Sequence, residues 1–198
     1  MTPLQEQFGD IDIYLFDQIL RGNILPGMKI FDAGCGAGRN IVYLLREGYE
    51  VFAADPDPQA VNPVRQLAPR LPAENFRVET VEANSYPAAF ADVVVCNTVL
   101  HFARDDDHFR AMLCGAWRTL KPGGLFFSRL ASTIGGERLI QHISGRRYRM
   151  ADGTERYLVD EALLMQWASE LGAQLVDPIK TTVVQNLRCM TTWILRKS

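Results

Sequence analysis

Hydrophobic and polar positions come in alternating blocks along this chain. Five short apolar runs suit strands buried in a parallel sheet: "KIFDA" at 29–33, "EVFAAD" at 50–55, "FRVETVEA" at 76–83, "DVVVCN" at 92–97 and "LFFSRL" at 125–130. Helical spacing fills the gaps between them. In "NIVYLLREGY", Ile41, Leu44 and Leu45 share one face before Gly48 stops the helix. In "DDDHFRAMLCGAWRTLKPGG", Asp105 to Asp107 favour the positive helix start. Phe109, Met112, Leu113, Ala116 and Leu120 form the buried stripe, and "KPGG" ends it. A further helix, "DEALLMQWASELGA", precedes "QLVDPIKTTVV" and "CMTTWILRK", two strands close enough in sequence to pair antiparallel. The alternation predicts an α/β fold, a doubly wound sheet ending in a hairpin.

Composition narrows this to one domain over 1–198, because 198 residues with 47% hydrophobic content fill one core and are short for two. The net charge of -2 gives no overall attraction to nucleic acid or an anionic membrane. Cys35, Cys96, Cys114 and Cys189 stand far apart without metal-ligand spacing, so neither a metal site nor a disulfide framework is expected. "MTPLQEQFGD" lacks the pattern of a leader, no apolar run reaches membrane-spanning length, and a cytoplasmic protein is the expectation.

The candidate chemistry begins at "KIFDAGCGAGRN", where Gly34, Gly36 and Gly38 follow a strand directly. The glycines run GxGxG, with Arg39 where a dinucleotide fingerprint needs its third glycine. Asp32, two residues before Gly34, would repel a pyrophosphate and favours a ligand that carries positive charge. Asp55 ends the next strand, where a carboxylate accepts hydrogen bonds from ribose hydroxyls. An adenosine with a cationic amino-acid tail satisfies both acids, and that ligand is S-adenosyl-L-methionine.

On these residues the chain resembles the class I S-adenosylmethionine-dependent methyltransferases over nearly its whole length. "FDAGCGAGR" is similar to the family's first motif, which contacts the methionine part of the cofactor, and Asp55 matches its ribose-binding acid. "VEANSYPAAFADVVVCNTVLHF" resembles the region that holds adenine and opens the fourth strand, and "LKPGGLFFS" the turn into the fifth. The resemblance implies a Rossmann-like seven-stranded sheet in the order 3-2-1-4-5-7-6, with strand 7 antiparallel. It implies cofactor contacts from Tyr14, Asp32, Gly34, Gly36, Gly38, Asp55, Glu82, Ala83, Asn84 and Asn97. Where the family often has an aspartate for the adenine amino group, this chain has Glu82, Ala83 and Asn84, with Glu82 ranked first. "QFGDIDIYLFDQILRG" is similar to the N-terminal helix of small bacterial members, including tellurite-resistance-like ones, and suggests a helical cap over 1–27.

The segment 131–159 is expected to be a substrate lid on the carboxyl edge of the sheet, with Arg129, Arg146, Arg147 and Arg149 gripping a small anionic acceptor. His101, after the fourth strand, is the catalytic candidate, as a base or a substrate contact. The chain reads "CNTV" where amino-methylating enzymes of DNA carry Asn-Pro-Pro-aromatic. The expected function is in-line methyl transfer to a small molecule, with no nucleic-acid or membrane partner; a homodimer is left open. The alternatives are a non-catalytic binding module or partner scaffold and, behind it, a nicotinamide-dependent oxidoreductase.

Overall fold

The structure, a computed structural model, describes residues 3–198, so the first two residues of the expected 1–27 cap lie outside the described residues. The rest of that cap is two helices, α1 (Pro3–Phe8) and α2 (Ile13–Leu20). Gly9 separates them with a φ of +64°, and Asp12 restarts the helix by accepting the Tyr14 amide at 3.0 Å. There follow β1 (Lys29–Ala33), α3 (Val42–Arg46), β2 (Glu50–Ala54), α4 (Pro58–Leu67), β3 (Phe76–Arg77), β4 (Ala91–Asn97), α5 (Asp106–Thr119) and β5 (Leu120–Ala131). The remainder is β6 (Ile140–Ser144), β7 (Arg147–Met150), β8 (Glu155–Tyr157), α6 (Glu161–Glu170), β9 (Ala173–Leu175), β10 (Lys180–Val184) and β11 (Arg188–Lys197).

The main sheet runs β3-β2-β1-β4-β5-β11-β10, parallel through β5 and antiparallel at β11, which is the order expected from the sequence. Alternate residues of each strand feed opposite cores. Phe31, Val94, Phe126 and Trp193 pack with α5 and α6, while Ile30, Val51, Val93 and Phe127 pack with Leu15, Leu44, Val61 and Val64 from α2, α3 and α4. Helices therefore cover both faces, and the carboxyl ends of β1, β2 and β4 are left at one edge.

Four elements differ from the sequence expectation. The third strand shrinks from 76–83 to Phe76–Arg77, because the residues after it satisfy their backbone outside the sheet: Glu79 accepts the Ser85 amide at 2.8 Å, and Asn84 Nδ2 donates to Val81 O at 2.7 Å. The expected sixth strand is broken into β9 and β10, both paired with β11. Asp177 interrupts it by turning inward to accept from Gln18 Nε2 at 2.9 Å and Arg21 Nη1 at 2.7 Å, and Pro178 has no N–H for the ladder. α4 was not named from the pattern; Asp57 caps it at the Gln59 amide and Pro58 occupies its first turn. Finally, 131–159 contains a folded antiparallel meander, β6-β7-β8. It is seated by a bridge between Ser132 and Val159, by Arg147 Nη1 donating to Ala103 O at 3.1 Å and by the Tyr157 hydroxyl donating to Asp106 at 2.7 Å. Among the described residues no helix is long and apolar enough to cross a membrane.

Candidate functional site

At the end of β1 the chain folds over the end of β2, and the amides of Gly34 and Cys35 both donate to Ala54 O, at 2.8 and 3.0 Å. The three glycines then differ in what requires them. A Cβ on Gly34 would lie 2.4 Å from Val99 Cγ2, and one on Gly38 would lie 2.8 Å from Val64 Cγ2, so both are fixed by the protein's own packing. Gly36, at φ +50°, has nothing within 4 Å of its Cβ position. Its bare face borders a cavity of about 480 Å³.

Two carboxylates stand near this loop, Asp55 in the cavity lining and Asp32, on β1, outside it. Asp55 lines the cavity with one oxygen accepting the Gly36 amide at 2.9 Å and the other the Asp57 amide at 3.0 Å, so the acid is fixed in orientation by the loop it faces. Asp32 is 1% exposed, and among the described residues neither of its oxygens has a partner. Burial, then the neighbouring charge of Asp55, pushes its carboxyl up to about 7, with Arg39 pulling the other way. An unpaired buried acid of this kind is costly unless a ligand completes it. Asn97 repeats the pattern at the end of β4: it lines the cavity and its Nδ2 is buried without an acceptor. The next residue, Thr98, holds φ at +63°, a strained conformation for a β-branched side chain, and it too lines the cavity.

The opposite wall comes from the loop after β3 and from α5. Gly115 brings the two together, since a Cβ there would lie 2.4 Å from Val81 O. Thr80, Val81 and Glu82 line the cavity, as do His108 and Met112. His108 Nδ1 accepts the Arg104 amide at 3.1 Å, which puts the ring proton on Nε2, 3.2 Å from Glu82 Oε1. Glu82 is thereby aimed along the cavity wall. Asn84 is spent on structure: it donates to Val81 O and Gly115 O and accepts from Arg118, and neither it nor the exposed Ala83 lines the cavity. Sequence reasoning did not name His108. Its one signal was Asp105, three residues earlier, whose carboxylate caps α5 at the His108 amide and fixes that residue in the first turn.

A second chamber of about 390 Å³ shares Arg39 and Thr98 with the first. His101 and Arg129 line it. His101 is 6% exposed, and its Nδ1 accepts the Ala131 amide at 3.2 Å, so the proton sits on Nε2. Burial, then Arg156 and Arg188, hold its pKa down to about 4, and the ring is neutral at physiological pH. Arg129 Nη1 donates to buried Asp12 at 2.9 Å. Tyr14 stands outside both cavities; its hydroxyl bonds Thr182 at 2.9 Å and its ring lies under the Arg129 guanidinium, 5.5 Å away. Arg146, Arg147 and Arg149 line neither chamber: Arg146 pairs with Asp160 at 2.8 Å, and Arg147 and Arg149 flank Glu155 at 3.5 and 3.0 Å. The arginines that do face the second chamber besides Arg129 are Arg39, Arg156 and Arg188.

Residues 31–128 match a family model described as a methyltransferase domain. The ubiquinone biosynthesis O-methyltransferase of Methylocella silvestris is 39% identical over 105 residues, covering 52% of this chain and 40% of that protein. Its counterpart from Xanthomonas euvesicatoria pv. vesicatoria is 32% identical over 162 residues, covering 77% and 65%. The chain thus spans 40 to 65% of the length of these curated relatives. Among solved structures, the Burkholderia thailandensis 1,6-didemethyltoxoflavin-N1-methyltransferase, with bound 1,6-didemethyltoxoflavin and S-adenosylhomocysteine, superposes with a TM-score of 0.71 at 19% identity, covering 99% of this chain and 81% of that one. The magnesium protoporphyrin IX methyltransferase of Synechocystis with bound S-adenosylhomocysteine gives 0.69 at 19%, covering 100% and 89%. Both likenesses are of fold.

Proposed function

We infer that this chain is a class I S-adenosylmethionine-dependent methyltransferase and transfers a methyl group to a small organic acceptor, a reading supported by the methyltransferase-domain match and the relatives. The observation that carries the reading is the open face of Gly36 set between an oriented acid, Asp55, and a buried, unpaired one, Asp32. That donor set fits S-adenosylmethionine. Asp55, held by the Gly36 and Asp57 amides, presents its remaining lone pairs to ribose hydroxyls. Asp32 favours positive charge nearby, and Glu82, oriented by His108, offers an acceptor for an amino group.

Bound between Asp55 and the glycine loop, the cofactor would supply a methyl group activated on a sulfonium, for displacement by the acceptor's nucleophile. The chain's own work is alignment and exclusion of water. Val99, Phe102 and Met112 give the first cavity apolar walls, and the second chamber opens beside it past Thr98. His101, neutral with its proton on Nε2, acts here as a hydrogen-bond donor to the acceptor and not as a base. The names of the relatives, O-methylation in ubiquinone biosynthesis above all, support a small organic acceptor and make an oxygen nucleophile the first to test.

The test is calorimetric titration with S-adenosylhomocysteine and with NAD, then incubation with isotopically labelled methyl donor and a panel of small hydroxylated acceptors. Binding of the homocysteine nucleoside without NAD, and label in an acceptor, is the expected result. Preference for NAD would overturn the reading.

A further inference from the structure

The four guanidiniums that line the second chamber are not equally satisfied. Arg39 and Arg129 approach the buried carboxylate of Asp12, at 3.9 and 2.9 Å. Arg156 and Arg188 have no carboxylate within 4 Å among the described residues. Arg156 donates to the Glu155 carbonyl at 2.8 Å and stacks its guanidinium over the exposed Phe102 ring, 4.8 Å from the centroid. The Arg188 guanidinium makes neither a hydrogen bond nor an ion pair among the described residues, although its backbone is paired with Val184 in the β10–β11 ladder. Among the described residues the one acid lining the chamber is Asp152; its Oδ1 accepts from the Thr154 amide and hydroxyl at 2.9 and 2.6 Å, and it acts on the two arginines only at longer range.

Four guanidiniums therefore line a cavity of about 390 Å³ with one acid in its lining, Asp152, while a second, Asp12, outside the lining, is bonded to Arg129. The lining also includes apolar side chains, Ala131, Met150, Val184 and Met190. Paired guanidiniums on an apolar floor match a carboxylate on a hydrophobic body: the anion takes the forked donors, and the body covers methionine and valine. A cation would meet uncompensated like charge there, and a neutral guest would bring no negative charge to either guanidinium.

We propose that the second chamber is the acceptor site and takes an organic anion, a carboxylate on an apolar body, anchored by Arg156 and Arg188, with its opposite end at Thr98 and Arg39 on the threshold of the first cavity. The chamber's role as the acceptor site rests on the methyl-transfer reading; its selectivity for a carboxylate does not. His101 lines the same chamber and, with Nδ1 occupied by the Ala131 amide, presents an N–H as a further donor to the anion.

The probe is cinnamate, with cinnamamide as its neutral isostere, titrated into the full chain by calorimetry with and without saturating S-adenosylhomocysteine. Cinnamate is expected to bind at millimolar concentration and cinnamamide at least about tenfold more weakly. The R156Q/R188Q double variant should lose roughly ten- to a hundredfold in cinnamate affinity while binding S-adenosylhomocysteine as the wild type does. A thermal unfolding midpoint matching the wild type shows that this variant folds, and the single variants, each expected to lose part of the affinity, serve if it does not. Equal binding of cinnamate and cinnamamide, equal binding of cinnamate to wild type and variants, or no cinnamate binding at millimolar concentration would each overturn the proposal. Failure of S-adenosylhomocysteine to bind, with cinnamate still selected over cinnamamide, would instead sink the methyl-transfer reading and leave the anion site standing.

Discussion

Asp12 and Arg129, 117 residues apart in sequence, are joined by a 2.9 Å hydrogen bond across the carboxyl edge of the sheet. Asp12 caps α2, donates its own backbone amide to Asn40 Oδ1 at 3.1 Å and lies 3.9 Å from Arg39, so one buried residue ties the N-terminal helices to the glycine loop and to β5. Removing it leaves Arg129 buried to a large extent without its partner and removes the cap. Asp12→Ala should cost about 3 kcal/mol in urea unfolding, and Asp12→Asn, which still caps and accepts, clearly less. Coincident midpoints for wild type and the alanine variant would show that the contact holds nothing.

Asp32 makes stability fall with rising pH. Its folded carboxyl titrates near 7, above its ordinary 3.8, so between these values the folded state holds the proton that the unfolded state has lost. The contribution is complete below 3.8 and is gone above about 7. Asp32→Asn should therefore flatten this descent and stabilise the ligand-free protein at pH 8, on the order of 4 kcal/mol at most. Denaturant titrations of both proteins at pH 5 and 8 check this; parallel changes in the two would refute it.

Asp55→Ala should weaken S-adenosylhomocysteine by about 1 to 3 kcal/mol, because it removes charge-assisted hydrogen bonds to hydroxyls and frees the Gly36 amide. Gly36→Val should weaken it further, since the side chain enters the open face of the loop at a φ of +50° that valine resists. Calorimetry on both variants measures the effect, and unchanged affinity in the valine variant would remove the loop from the site.

Glu82 and Asn84 should separate by phenotype. Glu82→Gln is expected to reduce cofactor affinity with little change in unfolding midpoint. Asn84→Ala removes the side-chain bonds to Val81 O and Gly115 O and the one accepted from Arg118, which keeps the Asn84 carbonyl, and should cost about 2 kcal/mol of stability. The reverse assignment of binding loss and stability loss would overturn the geometry of this wall.

For His101 the expected titration, followed by NMR of the ring nitrogens, has its midpoint near 4, with Nδ1 unprotonated at pH 7. Because its folded pKa lies below the ordinary 6.5, this residue stabilises the fold above 6.5, and that contribution drains away as pH falls toward 4. A midpoint near 6.5 would restore the ring as a candidate base.

Much of this protein is legible in order along the chain. The strand–helix alternation and the GxGxG turn with an acid on either side follow from local periodicity and turn chemistry, the sheet order follows from the family resemblance that those residues carry, and caps such as Asp105 and Asp160 mark their helices within three residues. The loop after β3 was harder, because it reads as strand: "VETVEA" has strand-like alternation, yet Gly115 of α5 and the Asn84 side chain draw its backbone out of the ladder. The arginines were harder still. Seen along the chain, Arg146, Arg147 and Arg149 are a basic cluster, but strand alternation and pairing in the meander give them Asp160 and Glu155 as partners.

What the sequence determined by itself is the set of groups placed by neighbours within a few residues: Gly36, Asp32 and Asp55 at strand ends whose direction is fixed once the sheet is parallel. Tertiary structure decided everything that depends on two distant segments meeting. It set Asp12 against Arg129, Glu82 against His108, and Arg156 with Arg188 around one chamber. The physical reason is range: turn geometry and capping act over a few residues, whereas the partner of a charged side chain is fixed only when the loops that carry it have packed.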